Sequence, residues 1–404
     1  MTAARVLVSD AGRGSAISVI RSLGRRGLRV IAADHDPRSA GFRSRYAAER
    51  LVYPHPADDP AGVVDRLHDL AAAGRVDLII PVSEEVLLPL ARARARFAGR
   101  SALAIPDDSA LAQVADKSAT IELARRLGVP VPRTARVRGA DEGLAAAREL
   151  GWPLVIKPAA SRLLHNGKVE RLEVAYADAP AALVSGMREL AGRCPVLLQE
   201  YVAGEGYGVE LLVDRGRPLM AFQHHRLHEV PFTGGASSLR ESVGLDSELF
   251  GHAARLLEAL RWTGLAMVEF RVGPDGPMLM EVNGRIWGSL PLAVKCGMDF
   301  PLGLAALYLG PRLGGGAPAR TAPAIGVRSR DLGRELVWIA SIIRRRRRYP
   351  FLPAPPRRAA VAAALRLPLP RDGFDLLCRD DPPPALADAV RAASHVLHKV
   401  ARAS

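Results

Sequence analysis

The chain has 404 residues, 49% of them hydrophobic, enough for two or three domains with cores of their own. Its formal charge is +14, but residues 311–404 hold 18 Lys and Arg against 7 Asp and Glu, so the body before them is nearly balanced and nucleic-acid binding by the whole fold is not implied. No apolar run is long enough to span a bilayer, no basic-then-apolar leader is recognisable, and Cys194, Cys296 and Cys378 have no metal or disulfide spacing, which points to a reducing, cytoplasmic setting.

Residues 5–9 (RVLVS), 29–34 (RVIAAD), 77–81 (DLIIP) and 102–106 (ALAIP) read as buried strands. Helical stretches separate them, notably 60–73 and 84–97, and a helix closed by Gly27 follows the first strand. This alternation predicts an α/β, doubly wound parallel sheet over 1–115. Gly12, Gly14 and Asp34 partly match a dinucleotide fingerprint, but Ile17 holds the third glycine position. A tight strand-to-helix turn is the favoured reading, and a nicotinamide-dependent oxidoreductase is kept as an alternative. Loops at the carboxyl ends of parallel strands bind ligands, so Glu84, after the 77–81 strand, is a candidate substrate contact. Its plainer role is that of a helix N-terminal acid.

Asp116 is placed to cap a helix that Gly128 ends, and the VPVP that follows forces extended chain. PLVIKP at 153–158 reads as a strand with Lys157 at its end, 159–171 as a polar loop, 172–176 as a returning strand and 178–191 as a helix. PVLLQEYVAG at 195–204 is a strand running into a connection, and 208–227 an antiparallel hairpin. Within that hairpin His224 and His225 project to opposite faces and do not readily hold one ion; with Arg226 they read as walls of a site. Residues 233–238 (TGGASS) read as a loop of small donors in which Ser237 contacts phosphate or substrate, with Arg240 to receive a carboxylate; a plain connection is the alternative. A helix follows at 246–260, and then two strands, GLAMVEFRV and PMLMEVNGR, around a Gly-Pro-Asp-Gly turn.

That last pair carries the chemistry. Side chains alternate along a strand, so Glu281, Asn283 and Arg285 share one face. A turn centred on Asp275 sets Glu269 opposite Glu281, and like charges directly opposite are destabilising unless a proton or a cation lies between them. Carboxylates with an amide oxygen suit Mg²⁺ or Mn²⁺, which takes few protein ligands plus phosphates. Arg285 is next in line for a phosphate oxygen. A solvent-facing strand with ordinary ion pairs is the competing reading; the neighbouring Met, Val, Phe and Leu argue against it.

The chain retains only five lysines among 56 basic residues, and two of them, Lys117 and Lys157, precede this hairpin. Asp116-Lys117 with LGVPVP, VIKP, LLQEYVAGEG, GLAMVEF and MEVNGR, in that order, resemble the ATP-grasp superfamily of carboxylate–amine ligases over roughly 1–310. Within it the chain is most similar to carbamoyl-phosphate-synthase-like and PylC-like amino-acid ligases. The resemblance implies a pre-ATP-grasp Rossmann-like domain over 1–115 and an ATP-grasp domain of two α+β subdomains over 116–310, with a lid near 159–203. It implies Lys117 and Lys157 on ATP phosphates, and Gln199, Glu200, Tyr201 and Val202 at the adenine edge. Glu205 would meet the ribose, Glu269, Glu281 and Asn283 would hold Mg²⁺ or Mn²⁺, and Arg285 would touch the γ-phosphate or an acyl phosphate. The implied reaction joins a small-molecule carboxylate to an amine with release of ADP and phosphate. Two features depart from the family: the usual Asn-Pro-Arg is Asn283-Gly284-Arg285, and the phosphate-covering loop has only Gly167.

Residues 311–404 read as a basic helical extension. In 331–352 an apolar helical face (Leu332, Leu336, Trp338, Ile339, Ile342, Ile343) runs into five arginines, a pattern that fits an anionic membrane surface or a helix packed on the core. A non-catalytic ATP-binding module docked at a membrane is therefore the alternative to the ligase. An amphipathic helix within 377–404 is a candidate homodimer contact.

Overall fold

A computed structural model describes residues 3–159, 162–165, 168–190, 193–313, 322–344, 349–367 and 373–390. The chain begins with β1 (Arg5–Val8), α1 (Gly14–Arg25), β2 (Arg29–Asp34), β3 (Ala47–Val52), α2 (Pro60–Ala72), β4 (Leu78–Ile80), α3 (Glu84–Arg92), β5 (Ala102–Leu103) and α4 (Asp108–Ala115). The five strands form one parallel sheet in the order β3-β2-β1-β4-β5. Their apolar runs are buried on both faces. Val6 and Val8 pack with Val19, Ile20 and Leu23 of α1, whereas Leu7, Ile31 and Ile79 pack with Val63, Leu67, Val86 and Leu90 of α2 and α3.

Asp116 caps α5 (Lys117–Arg126) by accepting from the Ser118 and Ala119 N–H groups. There follow β6 (Thr134–Val137), α6 (Ala140–Leu150), β7 (Leu154–Pro158), β8 (Arg162–His165), β9 (Lys168–Arg171), β10 (Ala175–Ala177), α7 (Pro180–Arg188) and β11 (Val196–Glu200). A four-stranded antiparallel sheet, β10-β7-β11-β6, is backed by α6 and α7. The stretch read as a polar loop contains the β8–β9 hairpin instead; Ser161, Asn166 and Gly167 lie outside the described residues.

The third sheet positions the site. β12 (Glu205–Asp214), β13 (Arg217–Val230), β14 (Ala236–Val243), α8 (Ser247–Ala259), β15 (Gly264–Gly273) and β16 (Gly276–Asn283) lead to α9 (Leu290–Lys295) and α10 (Phe300–Leu309). The order is β16-β15-β12-β13-β14-β17-β18, with β17 (Arg328–Arg330) and β18 (Gly373–Phe374) supplied by the C-terminal segment. One face packs on α5 and α8 through Val209, Leu211, Val268 and Phe270. The other turns Leu212, Phe222, Leu265 and Met267 toward the first sheet, α9 and α10. Ala236, Ser237 and Ser238 belong to β14, so the donor loop expected at 233–238 is shorter by half.

Part of the apolar face read in 331–352 packs within the chain, and nothing in the structure supports a membrane contact there. α11 (Leu332–Arg344) turns Trp338, Ile339 and Ile342 onto Ala360 and Ala363 of α12 (Arg357–Arg366) and onto Val230 and Phe232. Glu335, fully buried on the same helix, meets His228 Nδ1 at 2.9 Å and accepts from Ser238 Oγ at 2.8 Å, and the His228 ring stacks on Trp338. Trp338, Ile339 and Ile342 are therefore covered by the chain itself, while Ile343 is exposed; Arg345 to Arg348 lie outside the described residues. No helix among the described residues is long and apolar enough to cross a membrane. Farther on, Arg21 of α1 donates to the Asp381 carboxylate at 2.9 Å and to the Leu376 and Asp381 carbonyls, and Ser44 Oγ also donates to Asp381. Arg25 and Tyr46 hold Asp380. The C-terminal segment thus straps the large sheet to the first helix. Residues 383–390 are helical, with Leu386 and Val390 exposed; the rest of the expected homodimer helix lies outside the described residues.

Candidate functional site

The β15–β16 hairpin turns tightly, with Gly273 paired to Gly276, and this register alone would set Phe270 opposite Leu279 and Glu269 opposite Met280. An irregularity between Glu269 and Phe270 takes up one residue and restores Glu269 opposite Glu281. The sequence expectation of the pair is met, by a bulge rather than by a turn centred on Asp275. Asn283 joins the two acids, its Nδ2 donating to Glu269 Oε1 at 2.9 Å and to Glu281 Oε1 at 3.1 Å.

Cations flank the pair. Lys117 Nζ, at the start of α5, is 3.7 Å from Glu281 Oε2. Arg226 of β13 forms an ion pair with Glu269 through Nη2, and its Nη1 lies 3.6 Å from Glu229 Oε1. Arg271 Nη2 holds the other oxygen of Glu229 at 3.0 Å. Burial would raise the Glu281 carboxyl, but Lys117, Asn283, Lys157 and Arg285 outweigh it and hold it down at about 2. Burial raises Glu269, and Glu281 adds to this against the opposing pull of Arg226.

Lys157 ends β7 and donates to Gln199 Oε1 at 2.5 Å; Gln199 Nε2 in turn donates to Thr134 Oγ1 at 3.0 Å. Burial first, and Lys117 second, lower the Lys157 pKa to about 8. The Gln199 side chain is thus committed to Lys157 within the four-stranded antiparallel sheet. Glu200 accepts from Arg133 N at 2.8 Å and from Arg133 Nε at 2.6 Å. Tyr201 and Val202 lead out of β11, and the Tyr201 ring sits edge-on to Tyr176, whose hydroxyl donates to the Thr233 carbonyl and whose ring also meets Tyr349. Glu205 is exposed at the rim, 3.2 Å from His225 Nε2.

Arg285 Nε is 3.4 Å from Glu84 Oε1, so two residues assigned from separate motifs face each other between the first and third sheets. Arg240 and Ser237 do not join them. Arg240 is fully buried and ion-paired with Asp375 of the C-terminal segment, and the Ser237 carbonyl accepts from it. The chain itself supplies the carboxylate expected of a substrate. His224 and His225 do diverge: His224 is buried 3.0 Å from Glu210, and His225 stacks on Tyr207. Arg226, read only as wall, is the residue the sequence undervalued. His224 lies in the same row as Glu269 through Gly208, and the two-residue step from His224 to Arg226 is the signal that marks it.

Packing favours a glycine at 284. A Cβ there would lie 2.4 Å from the buried Trp262 ring, so the indole fills the space a larger residue would need.

Glu269, Glu281 and Asn283 fit a divalent cation: two carboxylates and one amide, whose oxygen and nitrogen exchange by rotation, converge on one side of the sheet. No cluster of three or more His, Cys, Asp or Glu occurs among the described residues, so a cation here would complete its shell with phosphate or water.

Comparison with known proteins agrees with this geometry. Residues 193–331 match the family model "ATP-grasp in the biosynthetic pathway with Ter operon". The carbamoyl phosphate synthase large chain of Xylella fastidiosa (strain 9a5c) is 26% identical over 250 residues, 59% of this chain and 22% of that one. The D-alanine–D-alanine ligase of Pseudomonas fluorescens (strain Pf0-1) is 30% identical over 206 residues, 48% of this chain and 61% of the ligase. The chain thus spans about a fifth of the first relative's length and about three fifths of the second's. The crystal structure of N5-carboxyaminoimidazole synthetase from Staphylococcus aureus superposes with a TM-score of 0.63 over 85% of this chain and 86% of that one, at 14% identity. The likeness runs through the connection strand, the carboxylate hairpin and the sheet around them, and these matches support the ATP-grasp superfamily for this chain.

Proposed function

We propose that the protein is an ATP-dependent ligase that activates a carboxylate as an acyl phosphate and joins it to an amine, releasing ADP and phosphate. The observation that carries this reading is the opposed Glu269–Glu281 pair bridged by Asn283 and flanked by Lys117. Lys117 and Lys157 bring two positive charges to the phosphates of ATP. Gln199 positions Lys157, while the main chain of Glu200 and Val202, with the Tyr201 ring, borders the adenine. Glu205 stands at the rim for the ribose. Glu269, Glu281 and Asn283 hold Mg²⁺ or Mn²⁺, which when bound neutralises phosphate oxygens and aligns the γ-phosphoryl group.

The substrate carboxylate oxygen forms its bond to the γ-phosphorus as the bond to ADP breaks. Arg285 stabilises the charge on the transferred group. The amine nitrogen then bonds to the carbonyl carbon, the carbon–oxygen bond to phosphate breaks, and the proton lost by the nitrogen leaves with the phosphate. Glu84, 3.4 Å from Arg285, is the acid we assign to the substrate side. The lid, about 159–203, excludes water from the acyl phosphate.

The test is ADP release with Mg²⁺-ATP across a panel of carboxylic acids and amines. The expected signal requires both an acid and an amine and disappears in Glu281→Gln while the thermal melt stays intact. Turnover retained in Glu281→Gln refutes the assignment.

A further inference from the structure

Each lone pair of a carboxylate oxygen serves one partner. Glu269 Oε1 accepts from Asn283 Nδ2 and is ion-paired with Arg226 Nη2, so the oxygen a cation needs is already engaged by two donors. Asn283 yields by rotating its amide, which exchanges donor for acceptor. A guanidinium has no acceptor to offer and cannot lose its charge; it has to move.

A second berth is built beside it. Glu229 Oε1 is 3.6 Å from Arg226 Nη1, three residues farther along β13, and Glu229 Oε2 is fixed by Arg271 at 3.0 Å. Arg271 is itself anchored by donating to the Gly204 carbonyl at 2.8 Å. Gly206, opposite Arg226 on β12, leaves room for the swing: a Cβ there would stand 3.1 Å from Arg226 Cδ and 2.8 Å from Glu229 Oε1.

We propose that Arg226 is a displaceable counter-cation of the metal site: it neutralises Glu269 when no metal is bound and transfers to Glu229 when a divalent cation takes the Glu269–Glu281 pair. This rests on the reading of those two acids as metal ligands. Arg226 then sets the threshold for metal occupancy, and Glu229 acts through Arg226, as a positioning residue.

The experiment is Mn²⁺ binding to the full chain, followed by electron paramagnetic resonance with Mn²⁺ alone and with Mn²⁺ plus ADP. Arg226→Met should bind Mn²⁺ about tenfold more tightly than wild type, the size of effect one nearby charge has on an ionised neighbour. Glu229→Gln should bind it more weakly, because Arg226 loses its alternative berth. In the double variant the Glu229→Gln effect should vanish, which separates a berth from a general field, since independent effects add. Arg226→Lys, with a shorter head unable to bridge two carboxylates, should fall between wild type and Arg226→Met, and it serves if the methionine variant does not fold. Unchanged or weaker binding in both Arg226 variants, or a Glu229→Gln effect undiminished in the double variant, overturns the proposal alone. Undiminished Mn²⁺ binding by Glu269→Gln overturns the metal reading and this inference with it.

Discussion

The depressed Lys157 gives the sharpest prediction. An ordinary lysine, near 10.5, stays charged from pH 7 to pH 9; Lys157, at about 8, does not. Its ammonium form falls from about 90% at pH 7 to about 10% at pH 9. Phosphates favour the charged form, so nucleotide binding raises this pKa and takes up a proton above pH 8. Affinity should therefore be flat below pH 7.5 and fall about tenfold between pH 7.5 and 9, approaching one log unit per pH unit. The assay is the Kd for ADP by calorimetry from pH 6.5 to 9.5 at fixed ionic strength, in buffers of differing ionisation enthalpy to count the proton. Lys157→Arg, permanently charged, should give a flat profile. A wild-type Kd constant from pH 7 to 9, or the same fall in Lys157→Arg, would refute the reasoning.

Other parts of the structure make further commitments. Gln199→Leu removes a hydrogen bond that Lys157 already makes without nucleotide and should cost about 1.5–3 kcal/mol of stability in urea denaturation, the usual worth of a hydrogen bond to a charged group. Arg21→Met strands the buried Asp381 carboxylate and should destabilise the protein by about 3–5 kcal/mol in urea denaturation. Trp338→Ala should cost about 3–5 kcal/mol and leave co-sedimentation with anionic vesicles at background; strong vesicle binding by the wild type would reopen the membrane reading. Gly284→Pro should cost about 1–3 kcal/mol through overpacking against Trp262, and Trp262→Leu in the same chain should recover part of the loss.

How much of this could be read from the sequence depends on the range of the interactions. The first sheet was legible because its strands are unbroken apolar runs, except β3, whose AAERLV alternates as an exposed edge and shows no such run. The Glu269–Glu281 pairing was legible because period-two alternation narrows the choice of register, although the bulge that produces it was not. Arg226 was visible only as one residue of a basic stretch, because its partner Glu269 lies 43 positions away. Arg240 was assigned to a substrate because Asp375, 135 residues later, leaves no local trace. The face of α11 was apolar by pattern, but a pattern does not say whether lipid or protein covers it; α12 covers Trp338, Ile339 and Ile342.

The strap between Arg21 and Asp381 has a bearing on how the chain is made. The two residues are 360 positions apart. On a ribosome adding about 5–20 residues per second, Arg21 waits roughly 20–70 s for its carboxylate. Throughout that interval α1 carries a guanidinium whose buried place cannot yet be completed. Slow codons or a pause near the end of the message would prolong this unfinished state, and a chain released before residue 381 would keep it for good, with the shared apolar core and the Arg285–Glu84 pair left to hold the first and third sheets together.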